Sequence, residues 1–177
     1  WQSDVDAVGI KGMEADAEMI MLAQQLFKKL KLDVVVKVNN RKILDVILEK
    51  VKIPGDKQID VILSVDKLDK IGMEGVSAEL KTKGLKEDVI QQLFEILLAE
   101  GKNADKLKYL WKVLGECEGL TEMEKVLSYT EGDVEFDPSL ARGLSYYTGT
   151  VYEVYLKDKS IAGSLAAGGR YDKMIGA

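Results

Sequence analysis

Residues 140–156 read Leu-Ala-Arg-Gly-Leu-Ser-Tyr-Tyr-Thr-Gly-Thr-Val-Tyr-Glu-Val-Tyr-Leu and combine an arginine loop, a tyrosine pair and a candidate strand. Arg142 stands beside a glycine, Tyr146 and Tyr147 follow it, and the stretch from Thr150 to Leu156 is rich in β-branched and aromatic side chains. Such side chains favour a pleated, half-buried strand. The segment therefore predicts a sheet strand that begins directly after a polar loop.

A second strand is predicted immediately after the first. Lys157 to Ser160 form a short polar connection, and the small residues Ile161 to Ala167 continue as a strand that ends in Gly168-Gly169. Together the two strands predict a hairpin. The glycines open the run Gly-Gly-Arg-Tyr-Asp at 168–172, where the lack of side chains lets a ligand approach the backbone closely. Taken alone, this run favours a turn with a surface arginine.

Arginine is scarce in this chain. Of the 25 basic residues only Arg41, Arg142 and Arg170 are arginine, and the others are lysine. Arginine offers a planar fork of donors that lysine lacks. Arg142 and Arg170, which lie in glycine- and tyrosine-rich surroundings, are therefore candidate binding residues.

The beginning of the chain alternates between two kinds of side chain. Gln2, Asp4 and Asp6 fall on one face of residues 1–9, whereas mostly apolar side chains fall on the other. A period of two predicts a strand. Its polar face fits either a solvated edge strand or the lining of a polar pocket.

Helices and one more strand follow. Residues 14–31 have an amphipathic pattern and predict a helix that buries the stripe Met19, Leu22, Leu26 and Leu30. Residues 33–38 predict a strand, after which Asn39 or Asn40 caps a helix with an apolar side formed by Ile43, Leu44, Ile47 and Leu48.

The pattern becomes almost wholly helical after the turn at 53–56. Residues 56–128 predict several helices, punctuated by glycines and without strands, and strands return at Val134–Phe136. The expected fold class is α+β: an antiparallel-rich sheet flanked by helices and interrupted by a small all-helical domain. The predicted boundaries are 1–52, 53–130 and 131–177.

Composition excludes several classes of function. The chain has 177 residues, a net charge of −5, one cysteine and no histidine. A disulfide within the chain and any Ser-His or Cys-His catalytic pair are excluded, and no metal site is predicted. No apolar run is long enough to span a membrane, no signal peptide is visible, and a single cysteine suits a reducing compartment, so a cytoplasmic location without membrane contact is expected.

Taken together, the two glycine–arginine segments resemble the signature segments of histidyl-tRNA synthetases, Arg-Gly-Leu-Asp-Tyr-Tyr and Gly-Gly-Arg-Tyr-Asp. The likeness extends over nearly the whole chain. Residues 1–6 resemble the second strand of the class II motif 2, residues 36–41 and 63–70 resemble the eukaryotic and archaeal branch, and the helical stretch corresponds to the insertion domain of that family. The resemblance implies part of the catalytic domain of a class II aminoacyl-tRNA synthetase, starting within motif 2.

The resemblance also implies roles for individual residues. Asp6 corresponds to the acceptor for the histidine ring N–H, Gln2 to the residue that orients the amino-acid end, and Arg142 to the catalytic arginine on the carboxylate and α-phosphate. The tyrosines that bond to or enclose the ring correspond to Tyr147 and Tyr171. Supporting roles are implied for Gly143, Tyr146, Gly168, Gly169 and Arg170, and Arg170 is also compatible with a structural pairing to a carboxylate.

The implied reaction is histidine–tRNA ligation. Histidine is activated by ATP to the adenylate, with Mg²⁺ implied by the family, and is then transferred to its tRNA. The implied partners are histidine, ATP and histidine tRNA, and the parent enzyme is implied to be a homodimer. Ser145 departs from the usual aspartate. Motif 1, the arginine of motif 2 and motif 3 are not among these residues, so the chain alone is expected to be inactive.

Two alternatives stay open. One is a non-catalytic synthetase paralogue that binds histidine for regulation, although such relatives generally lack the helical insertion and often lose the signature arginine. The other is a helical interaction module with an acidic surface, which would have no affinity for histidine.

Overall fold

A computed structural model describes residues 2–144 and 146–174 as seven helices and one four-stranded sheet. The helices are α1 Met13–Lys29, α2 Arg41–Lys50, α3 Gly55–Val65, α4 Leu68–Thr82, α5 Glu87–Leu97, α6 Asn103–Leu114 and α7 Glu118–Tyr129. The strands are β1 Val34–Asn40, β2 Val134–Phe136, β3 Thr150–Leu156 and β4 Ala166–Gly169. The predicted α+β class is confirmed, and Trp1 and Ser145 lie outside the described residues.

The sheet has the order β2-β1-β3-β4. β1 pairs parallel to β2 and antiparallel to β3, and β3 pairs antiparallel to β4. The predicted hairpin is confirmed, but its second strand is wrong in position: it spans Ala166–Gly169 rather than 161–167, so the two glycines lie inside the strand. The parallel pairing of β1 with β2 was not predicted, because the sequence of a three-residue strand does not indicate its direction relative to its neighbours.

The two faces of the sheet differ in character. One face carries the fully buried side chains Val36, Val38, Phe136 and Val154, against which α1 and α7 pack. The register of β1 with its two neighbours places Lys37, Glu135 and Glu153 together on the opposite face. One face therefore forms core, and the other carries charges that pair with Asp69 of α4, Lys106 of α6 and Arg142 of the loop after β2.

The predicted helix cap is confirmed. Asn40 is the N-cap of α2, and its side chain accepts a hydrogen bond of 3.0 Å from the backbone N–H of Lys42. The predicted apolar side of α2 is fully buried, since Ile43, Leu44, Ile47 and Leu48 are at most 3% exposed.

The prediction for α1 is wrong in its buried face. The helix buries Met13, Ala17, Ile20 and Phe27, whereas Leu22, Leu26 and Leu30 of the predicted stripe are exposed. Apolar residues occur on two sides of this helix, and periodicity alone does not choose between them. The contacts of α1 with α7 and β1 determine which of its two apolar sides is buried.

The predicted strand at the beginning of the chain is also wrong. Residues 2–11 contain no strand and are exposed, with Val5 and Val8 at 60% and 66%. A strand needs a neighbour for its backbone hydrogen bonds, and no described strand pairs with these residues. The alternating pattern therefore has no sheet to join here.

Helices α3 to α7 share their core with the rest of the chain. The predicted all-helical domain at 53–130 would have a core of its own, but Phe94, Leu97 and Leu110 belong to one cluster that also contains Val36, Ile43 and other side chains of the sheet and α2. The expectation of a separate core is not met, and the three-part domain division stays a prediction. None of the described helices is long and apolar enough to cross a membrane.

Candidate active site

The loop that carries Arg142 is fixed to the sheet by a buried amide. Asn39, at the end of β1, is fully buried, and its Nδ2 donates to the backbone oxygens of Pro138 and Leu140 at 3.0 and 2.9 Å. Two carbonyls on one amide group set the direction of the chain just before Arg142. The loop is therefore held by β1, although it is connected in sequence to β2 and β3.

Arg142 lies between a carboxylate and an aromatic ring. Its Nη1 is 3.5 Å from Oε1 of Glu153, and its guanidinium carbon is 5.5 Å from the centroid of the Tyr147 ring. A guanidinium over an aromatic face is attracted by the ring quadrupole. Among the described residues, the buried Nη1 has no hydrogen-bond partner, so the contact with Glu153 is an ion pair only.

Asp6 and Tyr171 meet, although they are far apart in sequence. The Tyr171 hydroxyl donates a hydrogen bond to Oδ1 of Asp6, and this bond raises the pKa of Tyr171. Tyr171 also packs against the small apolar cluster that Leu140, Tyr147 and Val151 form. The structure thus brings Asp6, Tyr171, Tyr147 and Arg142 together along one chain of contacts.

The buried tyrosines of this cluster are neutral donors. Burial raises the pKa of Tyr147 to about 12, with Tyr146 adding to the shift and Arg142 opposing it. Burial also raises the pKa of Tyr152, with the charge of Arg142 opposing the shift and the charge of Asp6 adding to it. Neutral phenols beside a carboxylate provide donors and an acceptor in one place, which is the complement that a neutral imidazole requires.

The glycines of β4 leave room for the tyrosine rings. A Cβ on Gly169 would lie 2.7 Å from the Tyr147 ring and 2.8 Å from the carbonyl oxygen of Thr150. A Cβ on Gly168 would lie 2.6 Å from the Tyr152 ring and hydroxyl. The two glycines therefore let the rings of Tyr147 and Tyr152 lie directly on the strand.

Arg170 has the structural pairing that the sequence allowed. Its Nη1 is 2.9 Å from Oδ2 of Asp16, whose side chain is only 6% exposed, and its Nε donates to both oxygens of Asp172 at 2.9 and 3.0 Å. Burial raises the pKa of Asp16, although Arg170 opposes the shift. Arg170 therefore joins β4 to the first turn of α1.

Two predicted site residues lie outside this cluster or at its exposed margin. Within the described residues, Gln2 donates only to Asp4, at 3.2 Å to each carboxylate oxygen, and forms no hydrogen bond with Asp6 or Arg142. Tyr146 is exposed and packs on Tyr147, with ring centroids 4.6 Å apart. The effect of Ser145 lies outside the described residues.

Sequence reasoning missed two carboxylates beside Arg142. Glu153 contacts it directly, and Asp66, just after α3, lies beside Gly143 and within the field of Arg142. Burial raises the pKa of Asp66, and Lys70 and Arg142 oppose the shift. The sequence feature that could have indicated this contact is Glu153 itself, a single charged residue within a strand of aromatic and β-branched side chains.

Two clefts open near the site. One, of about 490 Å³, is lined by Tyr146, Tyr147 and Thr148 together with basic and acidic side chains of α2 and the chain end. The other, of about 500 Å³, lies over the charged face of the sheet, beside Lys37, Asp69, Asp137 and Ser139. Within residues 2–144 and 146–174, no group of three or more potential ligand side chains is placed to hold a metal ion.

Lys37 and Asp137 form the central ion pair of the second cleft, at 2.8 Å. Burial opposes the ionisation of Asp137, but the charge of Lys37 and hydrogen bonds from Lys37 and Ser139 outweigh it and lower the pKa of Asp137. A depressed carboxyl pKa stabilises the folded state above the unfolded value, and this stabilisation disappears as the pH falls through the folded value.

The expected result for Asp137→Asn is a loss of about 1.5–3 kcal/mol of unfolding free energy at pH 7, the range of a charge-assisted hydrogen bond. The loss should begin to shrink below about pH 4, the ordinary pKa of an aspartate in the unfolded chain, and should disappear as the pH falls through the lower pKa of the folded protein. Urea denaturation of both proteins at pH 7 and at stepwise lower pH measures it. A difference between the two proteins that does not change with pH would exclude the ion pair as its cause.

Comparison with known proteins identifies the family. The sequence profile described as histidyl-tRNA synthetase matches residues 1–177, the whole chain. The chain belongs to the histidyl-tRNA synthetase family. A relative named histidine–tRNA ligase 1 from Bacillus cereus is 41% identical over 99% of this chain. Another, named histidine–tRNA ligase, from Phocaeicola vulgatus, is 40% identical over 99% of this chain.

A crystal structure agrees with this assignment. The histidyl-tRNA synthetase of a Nostoc species is 31% identical, covers 94% of this chain and superposes with a TM-score of 0.86. A protein from Bacillus halodurans, described as an ATP phosphoribosyltransferase regulatory subunit/histidyl-tRNA synthetase, covers 93% of this chain at 24% identity with a TM-score of 0.75, and shares the fold.

Coverage of the relatives limits what family membership says about activity. The chain spans 43% of the Bacillus cereus ligase, 40% of the Phocaeicola ligase and 42% of the Nostoc synthetase. The relatives named are bacterial, and the resemblance to the eukaryotic and archaeal branch stays a prediction.

Proposed function

We propose that this chain is the histidine-binding part of a histidine–tRNA ligase, and that its signature loop takes part in forming the adenylate. The observation that carries the proposal is the contact chain from Asp6 through Tyr171 and Tyr147 to Arg142. It places an acceptor, neutral hydroxyl donors and a guanidinium in one neighbourhood. The division into 1–52, 53–130 and 131–177, with the middle part as insertion domain, belongs to the same proposal.

In the proposed first reaction, the carboxylate of histidine attacks the α-phosphate of ATP and pyrophosphate leaves. The acyl group then passes from the adenylate to the terminal adenosine of histidine tRNA, and AMP leaves. Negative charge accumulates around the α-phosphate in the first transition state. A positioned guanidinium stabilises that charge more than it stabilises the ground state. Arg142 is the proposed catalytic residue.

Histidine selection falls to the other residues of the cluster. Asp6 would accept the ring N–H, and the hydroxyl of Tyr171, which already donates to Asp6, would fix the carboxylate in place. Tyr147 would enclose the ring, and Gln2 would orient the amino-acid end only if the segment before Asp6 moves inward. Mg²⁺ would arrive with ATP; the described residues offer no cluster of ligands for it, so no step is assigned to it.

The alternative is a regulatory paralogue that binds histidine without activating it. The likeness to the Bacillus halodurans protein, whose description includes a regulatory subunit, is the observation in its favour. The helical stretch and Arg142 favour the ligase. Histidine-dependent exchange of labelled pyrophosphate into ATP by the full-length ligase decides between them: the regulatory protein binds histidine in calorimetry but shows no exchange.

Asp6→Asn tests the selection of histidine. The variant keeps the size of the side chain and one acceptor, but it removes the charge that favours the ring N–H. A charge-assisted hydrogen bond is worth roughly 1.5–3 kcal/mol, so the KM for histidine should rise roughly 10- to 150-fold. The KM for ATP should change little in pyrophosphate exchange. Asp158→Asn, in the exposed loop after β3, is the control; equal effects of the two variants would contradict the role of Asp6.

A further inference from the structure

Glu153 has an unexpected ion-pair partner. The register of β1 and β3 places it directly opposite Lys37, and an opposite charge across two strands normally pairs. Lys37 instead lies 2.8 Å from Asp137 and 3.9 Å from Asp69. The nearest cation by strand register is thus engaged elsewhere, and Glu153 is left for another partner.

That partner is Arg142. The Glu153 carboxylate lies 3.5 Å from Nη1 of Arg142, and it also accepts a hydrogen bond from the Tyr155 hydroxyl. Both side chains of the ion pair are only 18% exposed. Attraction between charges is stronger at such a site than in water, and Tyr155 keeps the carboxylate from rotating towards the solvent.

The backbone of the loop is held separately from the guanidinium. Gly143 lies against the end of α3, where a Cβ in its place would lie 2.8 Å from Cδ2 of Leu63 and 3.5 Å from Oδ2 of Asp66. Within the described residues, Nη1 of Arg142 keeps its hydrogen-bonding capacity because Glu153 stands beyond hydrogen-bond geometry. The arrangement orients the arginine without occupying that donor.

We propose that Glu153 is a positioning residue that holds the Arg142 guanidinium in the orientation needed for adenylate formation. The catalytic part of this inference rests on the proposed function. Its structural part, that Glu153 immobilises Arg142, stands independently. An orientation fixed before substrate arrives means that no reorganisation is required at the transition state.

The catalytic test compares Glu153→Gln with Glu135→Gln in the full-length ligase. Glu135 occupies the same face of the sheet on the other side of Lys37, but it pairs with Lys106 rather than with Arg142. Because misplaced catalytic groups lose rate even when binding persists, kcat for pyrophosphate exchange should fall about tenfold in Glu153→Gln, with the KM for histidine within about twofold of wild type. Glu135→Gln should keep the wild-type kcat.

Rescue separates charge from packing. Glu153→Asp retains the carboxylate and should recover part of the kcat that Glu153→Gln loses. An unchanged kcat in Glu153→Gln, or an equal loss in both control and variant, would overturn the positioning role. A faster Glu153→Gln enzyme would show that Glu153 competes with the substrate for Arg142, which also overturns it.

A spectroscopic test on the 177-residue chain needs no activity. The chain has three arginines, so selective ¹⁵N-arginine labelling gives few side-chain Nε–H signals, and that of Arg142 is identified by its loss in Arg142→Lys. In Glu153→Gln the Nε order parameter of Arg142 should fall below about 0.6, the flexible range, while Arg41 and Arg170 keep theirs. A rigid Arg142 in the variant would overturn the proposal. Absence of pyrophosphate exchange in the wild-type ligase would instead overturn the proposed function and leave this result standing.

Discussion

Arg142→Lys is expected to lower the rate of histidyl-adenylate formation by about 10²–10³, comparable to the loss of one preorganised donor to a developing oxyanion. Lysine keeps the positive charge but loses the planar fork of donors and stacks less well on a ring. In this protein the fork lies over Tyr147 and beside Glu153, a geometry that a flexible ammonium cannot reproduce. Pyrophosphate exchange by the full-length ligase, over a range of histidine and ATP concentrations, measures the effect.

Histidine binding should survive this substitution, because the proposed ring contacts belong to Asp6 and the tyrosines. Arg41→Lys is the matched control: Arg41 pairs with Asp45 one turn along α2, where a lysine can pair as well. A normal kcat with only a raised KM for histidine in Arg142→Lys would make Arg142 a binding residue and would refute its catalytic assignment.

Arg170→Met is expected to destabilise the fold by about 3–5 kcal/mol at pH 7, the usual cost of removing one partner from a buried ion pair. Asp16 would remain almost fully buried at the first turn of α1 without its counter-charge. Its carboxyl pKa, already raised by burial, would rise further. A raised carboxyl pKa destabilises the fold above the unfolded value, so the loss should shrink as the pH falls. Urea denaturation of the 177-residue chain measures both effects.

Two further variants test whether the loss comes from the ion pair. Arg41→Met removes an arginine whose partner Asp45 is 44% exposed, and it should cost less than about 1 kcal/mol. Asp16→Asn combined with Arg170→Met removes the buried charge, so it should be more stable than Arg170→Met alone. If Arg170→Met costs no more than Arg41→Met, or if the double variant is the less stable one, the pairing does not stabilise the fold as argued.

Local sequence signals predicted the elements that depend on local physics. β3 was predicted at its observed bounds because aromatic and β-branched side chains fit a pleated surface. The cap at Asn40 was predicted because its side chain satisfies a free N–H at the start of α2. The pairing of Arg170 with a carboxylate was also anticipated, although its partner Asp16 was not.

Features that depend on distant partners were not predictable in the same way. α1 has apolar residues on two sides, and only its contacts with α7 and β1 select the face that contains Ile20. Residues 2–11 have the alternation of a strand but no described strand to pair with. Glu153 is free to contact Arg142 because Lys37 pairs with Asp137. This arrangement depends on β1, β3 and the loop after β2, which are far apart in the sequence.

The anchoring of the signature loop by Asn39 has a consequence for synthesis on the ribosome. The amide donates to the carbonyl of Pro138, which is made 99 residues later. Translation proceeds at roughly 5–20 residues per second, so on the order of 5–20 s pass between the synthesis of Asn39 and that of Pro138. Helices α2 to α7 emerge during this interval and can form from local contacts, whereas β1 has no described strand to pair with until β2 is made. The sheet that positions Arg142 is therefore completed late, after the helices that flank it have been synthesised.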